Sequence, residues 1–145
     1  MGQHLIYQCP KCGNIVSLNW GCGMLWHKND KSILYPHRAE PYEFNIYSYL
    51  IPRIRKEVHE YLEKVGDPVV VENVYMQPYK CNKCSKIDSK IYFEIVSPKI
   101  GIRNYIPKYY CSCRGTYTKI RPNQKHFYCH LCGTELIEDS EIMWD

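Results

Sequence analysis

Tyr7-Gln8-Cys9-Pro10-Lys11-Cys12-Gly13 and Phe127-Tyr128-Cys129-His130-Leu131-Cys132-Gly133 decide how this chain of 145 residues is read. Each enters on a strand-like pair, turns between two cysteines and leaves through a glycine. Two cysteines separated by two residues in a tight turn aim both sulfurs at one cation. The residue after such a turn often needs a positive φ, which glycine tolerates. The same device recurs at Cys81-Asn82-Lys83-Cys84 and, one residue shorter, at Cys111-Ser112-Cys113. Eight of the nine cysteines therefore fall into four pairs, and Cys22 is left over. The pattern assigns Cys9, Cys12, Cys81, Cys84, Cys111, Cys113, Cys129 and Cys132 as metal ligands.

Composition explains why the chain needs a staple. Apolar residues make up 45%, but that figure includes nine cysteines and fourteen tyrosines, so the aliphatic core is thin. A thin core with many cysteines calls for a staple, either disulfides or metal. The first seven residues contain no apolar signal-peptide core. No stretch approaches the roughly 18–20 apolar residues of a membrane span. The expectation is a cytoplasmic protein without a membrane segment, in a reducing compartment where structural disulfides are rare.

The two glycine-ended turns, with their adjoining strands, resemble zinc-ribbon knuckles. The overall arrangement also resembles small bacterial zinc-ribbon proteins. Two departures are visible: the Cys111/Cys113 pair is one residue short, and Ser85 stands where a glycine is usual. The resemblance implies a scaffold held by two structural Zn2+ ions and no particular activity, because ribbons serve many functions. Iron is the alternative metal, since Cys9-Pro10-Lys11-Cys12-Gly13 also has the look of a rubredoxin knuckle and four thiolates accept either ion. The fold class expected is α+β: a small β-rich domain with two four-cysteine zinc ribbons and an inserted amphipathic helix.

The knuckles can join in two ways. Cys113 and Cys129 have 15 residues between them, a familiar ribbon gap, which leaves Cys9/Cys12 to join Cys81/Cys84 across 68 residues. The rival arrangement joins Cys84 to Cys111 and Cys12 to Cys129 across 26 and 116 residues. Loop-closure entropy favours the first by about 1 kcal/mol, a margin that strand pairing can overturn. The first is taken as the expectation. It divides the chain into a unit over 1–98 with a helical insert at 43–65, and a second unit over 99–145 with an acidic tail.

Within the insert, Ile46, Leu50, Ile54, Val58, Tyr61 and Val65 form an amphipathic stripe. Pro52 should open a second helical piece, and Gly66 with Pro68 should end it. Strands are expected at 5–8, 15–20, 69–71, 74–76 and 91–96, with shorter ones at 109–110, 116–120, 126–128 and 135–137.

Charge is unevenly distributed. Residues 80–128 carry eleven Lys/Arg against two Asp/Glu, whereas 129–145 carry five acids and no Lys/Arg. Lys99, Arg103, Lys108, Arg114, Lys119, Arg121 and Lys125 interleave with Tyr105, Tyr109, Tyr110, Tyr117, Phe127 and Tyr128. Cations track phosphates and aromatic faces stack on unpaired bases, so the expectation is single-stranded nucleic acid or RNA as partner. The expected contacts are Lys99, Arg103, Lys108, Tyr109, Arg114, Tyr117, Lys119, Arg121 and Lys125. Two bland readings compete: the tyrosines are core, and the cations answer the thiolates. A protein adaptor or inhibitor role is the alternative function, through the acidic tail or through Trp26, Tyr35 and Tyr42.

No catalytic pattern is complete. His59-Glu60 begins H-E-x-x-H, but position 63 is Glu, and His37-Arg38-Ala39-Glu40 misses the deaminase spacing. Cys22 reads as a small thiol in a glycine-flanked turn, outside the ligand set. The chain is expected not to be an enzyme.

Overall fold

The computed structural model describes residues 2–21, 34 and 46–144. Cys22, Trp26, His27, Tyr35 and Tyr42, and the first three residues of the expected 43–65 insert, lie outside them.

Strand β1 (Gly2–Gln8) turns through Cys9–Gly13 into β2 (Ile15–Gly21), and the two pair antiparallel from Gly2 opposite Gly21 to Gln8 opposite Ile15. Helices α1 (Ile46–Tyr49) and α2 (Pro52–Val65) follow. Strand β3 (Val70–Cys81) turns through the second cysteine pair into β4 (Ile87–Val96). Strands β5 (Tyr117–Lys119) and β6 (Ile137–Trp144) complete an antiparallel sheet of order β4-β3-β2-β1-β6, with β5 pairing β3.

Proline divides the helical segment as expected. Pro52 lacks an N–H and sits where the helix needs none, while Ile51 before it is extended at φ −67°, ψ 153°. Gly66 ends α2 at φ 65°, its N–H bonded to Leu62 O at 2.9 Å, and Lys99 Nζ donates to Val65 O. The cation thereby caps the negative end of the helix. Ile46, Leu50, Ile54, Val58 and Val65 are buried, as the stripe required. Leu62 takes the place expected of Tyr61. Tyr61 is instead half-buried and its hydroxyl donates to Arg103 O at 3.0 Å.

The chain splits into two compact units, and they do not follow the expected 98/99 division. One unit contains residues 1–23, 76–90 and 108–145; the other contains 24–75 and 91–107. The first holds all four cysteine pairs. Its core gathers Tyr7, Val16, Leu18, Ile87, Ile120, Phe127 and Leu136 around Cys9 and Cys129. The Tyr7 and Phe127 rings meet edge-on at 5.1 Å. The second unit packs the buried side of α2 with Val71, Val74, Ile91, Phe93 and Ile95 in its core. Tyr105 lies against Phe93 and Tyr61, and its hydroxyl donates to Glu57 at 2.9 Å.

Within the acidic tail a strand was expected only at 135–137. The tail forms β6, which pairs with β1 from Gly2 opposite Trp144 to Gln8 opposite Ile137, with an irregularity beside Ile6. The short strands expected at 109–110 and 126–128 shrink to single bridges, Tyr110 with Thr116 and Tyr128 with Glu135, while Ile137 of the expected 135–137 strand opens β6.

Because the cysteine pairs share one unit, the helical unit should tolerate damage independently of metal. Ile54 is fully buried on α2. Ile54→Ala should cost about 2–5 kcal/mol in chemical denaturation of the helical signal. Metal content measured on the folded variant should stay that of the parent.

Candidate metal centre

Strand register chooses the partners of each knuckle. Gln8, the last residue of β1, stands opposite Ile137, the first of β6, so the Cys129/Cys132 turn just ahead of β6 is delivered to Cys9/Cys12. Cys81, the last residue of β3, stands opposite Tyr117, the first of β5, so the Cys111/Cys113 turn arrives at Cys81/Cys84. The sulfurs accordingly gather as Cys9, Cys12, Cys129, Cys132 and as Cys81, Cys84, Cys111, Cys113, all within 4.8 Å of one another in each group. This corrects the expected joining of Cys9/Cys12 to Cys81/Cys84 and of Cys111/Cys113 to Cys129/Cys132. An entropic margin of about 1 kcal/mol is small beside the hydrogen bonds of two antiparallel ladders.

The spacing of the sulfurs suits a cation. Around a tetrahedral ion with metal–sulfur bonds of about 2.3 Å, sulfurs sit about 3.8 Å apart. Cys9–Cys132, Cys12–Cys129 and Cys12–Cys132 are at 3.4, 3.6 and 3.8 Å. Cys81–Cys113 and Cys84–Cys111 are at 3.4 and 3.6 Å. A disulfide would need about 2.05 Å. Each tetrad can therefore hold a metal ion, an arrangement compatible with zinc ribbons.

The four turns share one backbone design. In three, the residue after the second cysteine donates to the first cysteine's carbonyl: Gly13 to Cys9 at 2.9 Å, Ser85 to Cys81 at 3.1 Å and Gly133 to Cys129 at 2.8 Å. The short turn does the same one residue earlier, with Arg114 N donating to Cys111 O at 2.9 Å. All four of these residues have positive φ: Gly13 and Gly133 at 72°, Ser85 at 60° and Arg114 at 66°. The two departures from the ribbon pattern thus keep the turn geometry, with a side chain held in a left-handed conformation that glycine would adopt without strain.

Donors surround the sulfurs. Lys83 N lies 3.4 Å from Cys81 Sγ, and Asn14 Nδ2 lies 3.6 Å from Cys129 Sγ. Asn82 ties the second pair of turns together: its N–H donates to Thr116 O at 3.0 Å, and its Oδ1 accepts from Thr116 N at 2.9 Å. The Cys113 amide draws the Cys111 thiol down to about 6 against its burial, helped by the Tyr117 hydroxyl. The Thr134 hydroxyl and amide draw Cys132 down to about 6. Their neighbours move the other way. The Lys86 amide pulls Cys84 down, but burial and the sulfurs of Cys113, Cys111 and Cys81 together push it up to about 12. The Asn14 amide likewise fails to offset Cys9, burial and the facing pair, and Cys12 rises to about 12. Without a cation, each tetrad holds some thiolates only by keeping another thiol protonated. A divalent ion removes that conflict.

No family model matches the chain, and no curated protein or solved structure matches it. No helix among the described residues is long and apolar enough to cross a membrane.

The expected nucleic-acid contacts separate into groups. Arg103, Lys108, Arg114, Lys119, Arg121 and Lys125 are exposed. Lys99 is exposed along its length but spends its ammonium on the α2 cap. Tyr109 and Tyr117 are corrected: they are 4% and 9% exposed, core residues whose faces are closed to a base. Tyr109 packs edge-on against Tyr79, and Tyr117 lies under Lys90. Tyr110 and Tyr128, each just ahead of a cysteine pair, are the exposed rings at 55% and 50%.

The knuckle pairing also adds cations that the sequence reading left out of the contact set. Lys80, Lys83 and Lys86 flank Cys81 and Cys84, and β5 brings them beside the Cys111/Cys113 turn. Within six residues of a ligand of this tetrad lie seven Lys/Arg and one acid, Asp88, which pairs with Lys90 at 2.5 Å. Within six residues of a ligand of the other tetrad lie two Lys and two Glu. The excess of residues 80–128 over acids was the available signal. The side chains it pointed to could be placed only once the partners of Cys81 and Cys84 were known.

Gly115 tests the second tetrad directly. A Cβ there would lie 2.5 Å from Cys81 Sγ and 2.8 Å from Lys83 Cβ. Gly115→Ala should displace Cys81 and lose one metal equivalent by elemental analysis. Retention of both equivalents would mean that the Cys111 turn does not close over Cys81.

Proposed function

We propose that this chain is a zinc-ribbon protein whose two tetrads hold structural zinc, and that it binds single-stranded nucleic acid through the surface around the Cys81/Cys84/Cys111/Cys113 tetrad. The carrying observation is the concentration of cations there. A zinc ion bound by four thiolates has a net charge of −2, and seven Lys/Arg against one acid exceed what that charge needs. Tyr110 adds an exposed ring next to Cys111. Cations beside an exposed ring on a stiff turn suit a phosphate backbone with unstacked bases. Four thiolates leave a zinc no open position for substrate, so the proposed role is non-enzymatic.

A protein-contact role is the second reading, and the outer face of the β1–β2–β6 part of the sheet favours it. Ile15 and Ile137 stand on either side of Gln8 in register and are 64% and 60% exposed. Residues opposite one another on neighbouring strands share a face, so the two exposed isoleucines flank Gln8 on one face of the sheet. Acidic residues of β6 border it.

The test is fluorescence anisotropy of zinc-loaded protein with labelled single-stranded RNA, single-stranded DNA and duplex DNA at several salt concentrations. Single strands should bind best, with affinity falling steeply as salt rises. Lys83→Ala combined with Arg114→Gly removes two exposed cations, and the glycine relaxes the strained φ at 114. The double variant should lower the salt slope by about 1.4, at about 0.7 per lost phosphate contact. Absence of binding at low salt would remove this reading in favour of the protein-contact one.

A further inference from the structure

Strand β6 ends the sheet. It pairs with β1 on one side and, among the described residues, with nothing on the other. Every second residue of such a strand turns its N–H and C=O away from its neighbour, a row of groups that a further strand can pair. The strand runs for eight residues, and Ile137, Glu138, Asp139, Glu141, Ile142 and Met143 are all exposed.

The irregularity beside Ile6 sorts these side chains. Tyr7 stands opposite Glu138 and Ile6 opposite Ser140, so Asp139 has no partner on β1 and bulges. One extra residue shifts the alternation of faces. Glu138 and Glu141 therefore share the face of Tyr7 and Leu5, while Ile137 and Ile142 share the face of Gln8 and His4. Hydrogen bonds agree with this sorting: the Tyr7 hydroxyl donates to Glu138, and Gln3 Nε2 donates to Glu141 Oε1 at 3.2 Å. Both donors are neutral, and among the described residues no cation pairs with Glu138, Asp139 or Glu141. The edge thus offers carboxylates on one face and isoleucines on the other.

Charge and a bulge commonly guard an edge strand against pairing. Here the guard has one sign. A second copy of β6 would bring three more carboxylates and no cation, and like charges opposite one another are destabilising. A strand that alternates Lys or Arg with apolar residues answers both faces at once. We propose that the outer edge of β6 binds an extended segment of a partner protein in which cationic and apolar residues alternate, adding it to the sheet as a further strand. In the sheet β1 and β2 stand between this edge and β3, which carries the second tetrad, and the edge is distinct from the outer face described above. The proposal therefore goes beyond both readings.

The experiment is an NMR titration of the zinc-loaded full chain with a synthetic peptide of alternating lysine and valine, following the backbone amides of β6 and their hydrogen exchange. The peptide should bind saturably and slow exchange at alternate β6 amides. An alternating glutamate–valine peptide should leave them unchanged. A lysine–valine peptide N-methylated throughout keeps the charges but has no N–H for the ladder, and it should bind much more weakly. Asp139→Lys combined with Glu141→Gln should weaken binding of the lysine–valine peptide by about fivefold or more, as expected for lost cross-strand charge pairs. Zinc content of the variant checks its fold. Equal binding of the N-methylated peptide to the parent would mean charge attraction alone and overturn the proposal, whatever the variant does. A dimer whose β6 amides are protected without peptide would seat a second copy there and also overturn it. Shifts confined to Ile15 and Ile137, with the β6 amides unprotected, would overturn strand addition and leave the protein-contact face standing.

Discussion

The structure depends on two strand registers. Gln8 opposite Ile137 and Cys81 opposite Tyr117 are the pairings that set which sulfurs meet. Everything near the tetrads follows from them. The end of β1 is brought to the start of β6, the end of β3 to the start of β5, and each junction places two cysteine turns face to face. The turns then need only local geometry, which they obtain by the same closing hydrogen bond and the same positive φ in all four cases.

A metal held by both tetrads would make metal and fold interdependent. The core around Cys9 and Cys129 is small, and several of its members are aromatic or sulfur-bearing. Crowded thiols without a cation drive one another's protonation, as Cys12 and Cys84 illustrate. A divalent ion bound there would release those protons and tie together segments far apart in the chain, so its binding free energy would become folding free energy. The helical unit has a different economy, with an aliphatic core along α2 and a lysine cap at its end.

Much of this was legible in the chain. The cysteine turns, the hairpin of β1 and β2, the strand at 91–96 and the break at Pro52 each carry a local signal, and each is found where that signal placed it. The knuckle partners were not legible, because they rest on pairings between strands distant in sequence, while the entropic argument saw only loop lengths. The tail concealed a strand because Glu138, Asp139 and Glu141 are poor strand formers by propensity. Its pairing with β1 supplies what propensity lacks. The aromatic run at 105–128 divided unevenly for the same reason: Tyr109, Tyr117 and Phe127 turn inward and Tyr110 and Tyr128 outward, an alternation that single bridges and short strands make hard to phase from sequence.

The functional account follows from the corrected pairing. Joining Cys81/Cys84 to Cys111/Cys113 gathers the lysines of two separate segments around one tetrad, while the Lys and Glu residues flanking the other tetrad balance and it adjoins the acidic β6. The central claim is thus the identity of the four ligands at each ion. It is tested most directly by substituting cadmium for the native metal and recording cadmium–proton correlations to the cysteine side chains. The account predicts one cadmium coupled to Cys9, Cys12, Cys129 and Cys132 and the other to Cys81, Cys84, Cys111 and Cys113. A cadmium coupled to both Cys9 and Cys81 would contradict it.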